Sequence, residues 1–213
     1  MTDALTLLEL ASTQDAVALR REIARHQSLP PRQSGEPPIL KRLGIAWHNL
    51  ATDPATKASA RAEGYLHRAR KADPADHEVT AFLGSAQTLV ARDAWNPATK
   101  ALQLNSGLAL MDKAVRLAPD NVVVRMVRMT NSLSLPAFMG RAPKAREDLL
   151  RLHACFASQP PHPALAAEVC CRLADLLQQE GRREQAQALY VQVLELAPDS
   201  VWGRRAALRQ RPR

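Results

Sequence analysis

The chain has 213 residues, 46% of them hydrophobic but only 4% aromatic, and carries 29 basic against 21 acidic side chains for a formal charge of +8. A chain of this length can bury a sizeable core as one elongated domain or at most two, and an apolar content dominated by Ala and Leu suits closely stacked helices rather than sheets. The basic excess is compatible with an acidic protein partner, nucleic acid, an anionic membrane surface or simple solubility, while no apolar run approaches the ~18 residues that a membrane helix needs.

In chain order, residues 2–11 and 15–26 are predicted as two short amphipathic helices, separated by Ser12-Thr13-Gln14-Asp15, which supplies good N-cap residues. Together, residues 1–28 are expected to form an N-terminal helical cap. The stretch 29–38 holds four prolines and a glycine, is not expected to be helical beyond a turn, and reads as a linker onto an array over residues 39–200. Within that array three segments close on a shared phrase, a small or apolar residue, a helical turn and a proline: Ala69 to Pro74, Ala114 to Pro119 and Val193 to Pro198. Residues 122–135 and 143–158 read as a further, weaker helix pair ending near Pro160. The terminating prolines at 74, 119, 160 and 198 are spaced 45, 41 and 38 residues apart, longer than the ~34 of a standard helix-pair repeat. The surplus is expected in loops, around Thr52-Asp53-Pro54 in the first copy and around Asp93-Ala94-Trp95-Asn96-Pro97 in the second. Residues 201–213 read as a short capping helix with a basic tail.

The last copy is the clearest. Cys170, Leu173, Ala174 and Leu177, the turn Glu180-Gly181, then Ala186, Tyr190 and Pro198 follow the spacing aromatic-x2-L-G-x2-Y, A-x3-F, P. On these residues the chain resembles the tetratricopeptide repeat (TPR) superfamily, with Cys170 standing where a bulky aromatic is usual. Leu43-Gly44 with Ala62, Leu66, Ala69 and Pro74, and Leu83-Gly84 with Gly107, Met111, Ala114 and Pro119, are degenerate copies. The resemblance implies an all-α, right-handed α-solenoid of about four TPR-like helix-turn-helix repeats, with N-terminal helices and a C-terminal capping helix.

It also implies a concave groove lined by the first helix of each pair. Carried over by position, the lining is Lys41, Arg42, Ile45, His48 and Asn49, then Ala81, Phe82, Ser85 and Thr88, then Met126, Val127 and Thr130, then Cys171, Arg172, Asp175 and Gln179. Such a groove suits an extended or helical protein segment with an acidic end and apolar anchors, and Trp95 is a candidate second contact. Phe82 and Val127 stand where a clamp for a terminal carboxylate would need polar groups.

Arg125 and Arg128 share a helix face at positions where the repeat normally packs apolar side chains. If buried they must be paired, with Asp93, Asp112, Glu147 and Asp148 within plausible reach, and they form either an internal ion-pair network or an anion site. Cys155 and Cys170 fall on apolar faces and read as small hydrophobes, whereas Cys171 turns away and is expected to be accessible. Met111 reads as core.

No glycine-rich phosphate cradle, metal-ligand spacing or acid–base pair emerges, so neither catalytic residues, a metal nor a cofactor is predicted. The C-terminal arginines, Arg182 to Arg213, leave nucleic acid as an alternative partner, with Trp202 the only aromatic near them. A small anionic or lipid-like ligand bound by an accessory subunit is a further alternative. The first ten residues lack a positive leader, and three cysteines that include an adjacent pair agree with a reducing, cytoplasmic setting. Exposed repeat ends can stack on one another, which leaves a homodimer open.

Overall fold

The computed structural model describes residues 5–158 and 162–210. Pro160, the first four residues and the last three, Arg211 and Arg213 among them, lie outside the described residues. Twelve α-helices are described: α1 (Leu7–Ser12), α2 (Ala16–Gln27), α3 (Pro31–Ser34), α4 (Pro37–Leu50), α5 (Ser59–Ala72), α6 (His77–Asp93), α7 (Pro97–Leu117), α8 (Val122–Ser134), α9 (Ala142–Ser158), α10 (Pro163–Gln179), α11 (Arg183–Leu196) and α12 (Val201–Gln210). Among the described residues there is no strand, and the fold class is all-α, a helical-repeat fold. The chain divides into two compact units, residues 1–128 and 129–213.

Local chemistry sets the helix limits. Thr6 and Glu9 form a reciprocal capping box at α1, and the Asp15 carboxylate accepts from the Val17 and Ala18 amides at α2. The proline-rich stretch contains the single helical turn α3, and its last two prolines open α4 rather than ending the linker. Proline is tolerated there because the first amides of a helix have no intrahelical acceptor to lose.

In the first unit, α4 pairs with α5 and α6 with α7, while α5 packs on α6. Both pairs cross at small residues. A Cβ at Gly44 would meet the Leu66 side chain, and one at Gly84 would stand 2.5 Å from the carbonyl oxygen of Gly107, so α6 and α7 touch backbone to backbone. Leu43, Leu66, Phe82, Leu83 and Met111 fill the core around these crossings. The surplus of the first copy lies between α4 and α5, as a loop with a 3-10 turn at Pro54–Thr56 that closes on Lys57 in the left-handed region at φ 49°. The surplus of the second copy is not a loop. Asn96 caps α7 directly through the Ala98 and Thr99 amides, and the extra residues lengthen α6 and α7 to 17 and 21 residues.

In the second unit α10 pairs with α11, α9 packs on α10, and α12 lies against both α10 and α11. Ala174, Ala186, Tyr190 and Val193 are all buried between α10 and α11, and Gly181 at φ 81° makes the turn between them. Gly203 lets α12 fold back closely, since a Cβ there would run into the Ala197 and Pro198 carbonyls.

Candidate functional site

The structure redistributes the predicted groove. On α4, Ile45, His48 and Asn49 are buried, and the chain's own N-terminal helices α1 and α2 pack against this helix. The Asn49 amide donates to the carbonyls of Leu10, Ala11 and Thr13 at 2.7, 3.3 and 3.2 Å, which satisfies the open end of α1. Arg42 pairs with the buried Glu22 of α2 and donates to the Leu5 carbonyl at 2.6 Å. Burial raises the Glu22 pKa, but hydrogen bonds from Arg42 and then His26 outweigh it, so the carboxyl sits below its ordinary value. Lys41 reaches Asp76 and Glu78 at 2.8 and 2.7 Å. Its desolvation is overcome by those two carboxylates, and its pKa is raised. The predicted basic end of the groove is therefore internally neutralised, by Glu22 of the capping helix α2 for Arg42 and by Asp76 and Glu78 at the start of α6 for Lys41.

The second copy follows suit. Phe82 and Ser85 are buried with Ala81 and Thr88, and the Ser85 hydroxyl lies 2.8 Å from His48 Nε2, whose Nδ1 is 2.8 Å from Asn49 Oδ1. Burial pushes the His48 pKa down to about 4, with the Asn49 contact opposing it. The neutral ring packs edge-on against Phe82, with 5.1 Å between ring centres. Met126 is half-buried, Val127 is buried and Thr130 is exposed. Arg125 donates to the Pro119 carbonyl, and Arg128, buried, pairs with Asp112 at 3.2 Å. For Arg128, at least, the internal ion pair is the arrangement found.

In the second unit, α12 packs on α10. Asp175 accepts from the Tyr190 hydroxyl at 2.7 Å, pairs with Arg205, and lies 3.2 Å from Arg209 Nε. Desolvation first, then Asp175, raise the Tyr190 pKa. Arg172 bonds Glu168 at 2.8 Å, and its guanidinium lies 4.7 Å from the centre of the Trp202 ring. Cys171 is not accessible. It is fully buried like Cys170, and burial pushes both thiols up to about 11; Cys155 is the partly exposed thiol. Trp95 is 92% exposed in the three-residue turn between α6 and α7, and Leu102 on α7 is 70% exposed.

A cleft of about 620 Å³ stays open, walled by α2, α4 and α5 and lined by Arg20, Ile23, Ala24, Gln27, Trp47, Arg61 and Tyr65. At about 100° per residue, Trp47 projects from the side of α4 opposite Ile45 and Asn49. The Arg61 guanidinium lies 4.8 Å from the centre of the Trp47 ring, and that of Arg68 lies 5.7 Å from the centre of the Tyr65 ring. Gln27 donates to the Tyr65 hydroxyl at 3.4 Å. The indole N–H of Trp47 is buried without an acceptor among the described residues. Sequence reasoning misses this site because its parts come from three helices. The one available signal is that Trp47 falls outside the packed stripe of α4.

Comparison with known proteins matches residues 167–200 to a tetratricopeptide repeat family model. The match spans most of α10, all of α11 and the turn between them, the elements whose packing at Ala174, Ala186 and Tyr190 is described above. Residues 167–200 thus carry a tetratricopeptide repeat (TPR). The crystal structure of a thermophilic TPR protein from Thermus thermophilus is similar in fold, with a TM-score of 0.56 and 20% identity over 90% of this chain and 98% of that one. No curated protein matches. In this chain the face that the resemblance assigns to a groove is thus occupied at α4 by α1 and α2 and at α10 by α12, and the open cleft adjoins the other side of α4.

Proposed function

We propose that this TPR protein is a non-enzymatic adaptor that binds a partner protein through the cleft of α2, α4 and α5. TPR repeats generally mediate protein–protein interaction, and one observation supports placing the contact here. The cleft combines a volume suited to several side chains with aromatic and arginine residues, the types that dominate binding hot spots. Trp95 and Leu102, both exposed, offer a second contact in the same unit. Three free cysteines suit a reducing compartment such as the cytoplasm.

Affinity capture from lysate of the source organism tests the reading. Wild type and an Arg61→Ala variant are compared after nuclease treatment at moderate salt. A discrete protein retained by wild type and depleted on the variant is the expected result. Recovery of nucleic acid alone, or of nothing, would refute the adaptor.

A further inference from the structure

Among the described residues, Lys41, Arg42, Arg92, Arg128, Arg146, Arg172, Arg182, Arg205 and Arg209 all have a carboxylate within 4 Å. Arg20 and Arg61, at the cleft, and Arg68 beside it make no ion pair or hydrogen bond among the described residues, and no acidic side chain lines the cleft. Two of them lie near aromatic rings, Arg61 by Trp47 and Arg68 by Tyr65. A guanidinium stacked on a ring keeps its edge of N–H donors free, which is the geometry that takes a carboxylate in bidentate fashion. Each guanidinium also takes up one of the two ring faces on which a nucleic-acid base would lie.

We infer that the cleft is a binding site for an acidic peptide segment. Arg61 and Arg20 hold two of its carboxylates, and one apolar side chain packs against Ile23, Trp47 and Tyr65. The inference rests on the adaptor reading and gives it a partner chemistry. It places the site away from the first-helix face, which the chain itself fills.

The test is selection of random twelve-residue peptides displayed on phage against the intact protein. Enriched sequences are then measured as labelled peptides on wild type, Arg20→Glu/Arg61→Glu, Arg61→Gln, and the charge-matched control Lys113→Glu/Arg116→Glu on the exposed face of α7. The expected result is enrichment of peptides with paired acids beside an apolar residue. Their affinity falls about tenfold to a hundredfold with Arg61→Gln, further with the double reversal, and little with the control. Peptides without an acidic bias, equal loss in the control, or no enrichment would overturn the inference. So would retention of a labelled single-stranded (dT)20 that is lost with Arg61→Gln, which would give the cleft to nucleic acid. If instead lysate proteins are still captured by Arg20→Glu/Arg61→Glu, the site falls while the adaptor stands; if wild type captures none, the adaptor falls as well.

Discussion

The crossing of α6 and α7 gives the sharpest quantitative prediction. In Gly84→Ala the new methyl would stand 2.5 Å from the Gly107 carbonyl oxygen and 3.0 Å from both Leu110 Cβ and Met111 Cγ. An ordinary carbon–oxygen contact needs about 3.3 Å, so the helices must separate by close to an ångström, and the nearest obstacle is backbone, which no rotamer change can move. Overpacking of this kind costs about 1–3 kcal/mol, and its upper end applies here. Alanine's helix propensity returns about 1 kcal/mol, leaving a net loss of about 2 kcal/mol. Gly64, in the middle of α5, has nothing within 4 Å of a Cβ, so Gly64→Ala gains about 0.5–1 kcal/mol by propensity alone. Far-UV circular dichroism melts of the two variants are therefore expected to differ by about 3 kcal/mol, which for a chain of this length is about 6–12 °C. The double variant Gly84→Ala/Gly107→Ala is expected to lose less than the sum of the single changes, since helices pushed apart by one methyl leave room for the second. A Gly84→Ala protein as stable as Gly64→Ala would refute the backbone contact.

Three further outcomes follow from the buried polar groups. His48 is neutral in the fold with a pKa of about 4, against an ordinary 6.5 in the unfolded chain. As pH falls from about 6.5 toward 4 the unfolded state takes up a proton that the folded state refuses, so stability is lost over that window and not above it. The full effect is on the order of 3 kcal/mol, and His48→Gln is expected to flatten the difference between denaturant melts at pH 7 and pH 5. Asn49→Ala leaves the Leu10, Ala11 and Thr13 carbonyls without their donor; a cost of about 1–3 kcal/mol and faster hydrogen exchange in α1 are expected. With a thiol reagent under native conditions only Cys155 is expected to react quickly, and Cys155→Ser to abolish the fast phase. Fast labelling of Cys171 would contradict its burial.

Much of the fold is legible in the chain because proline, glycine and cap residues act locally. Pro74, Pro119 and Pro198 follow helix ends, and Gly44, Gly84 and Ala174 sit at crossings. The surplus length of the second copy is misread from sequence because Trp95-Asn96-Pro97 carries loop-like residues, yet Asn96 and Pro97 are also what starts a helix, so the turn closes at once and α7 runs on. The candidate site is far less legible. Positions such as Ile45, His48 and Asn49 lie on the first-helix face of a repeat whether that face is open or covered, and only the tertiary docking of α1 and α2 decides which. Arg20, Trp47 and Arg61 meet through contacts between α2, α4 and α5 that no spacing rule encodes.

The hold of Asn49 and Arg42 on α1 and α2 has a consequence for any competitor. A segment tethered by some ten residues is present at the α4 face at about millimolar effective concentration. An outside peptide of equal intrinsic affinity would have to reach that level before it held half of the molecules. Helices α1 and α2 thus behave as a resident ligand, and deleting them would convert a saturated surface into a vacant, adhesive one.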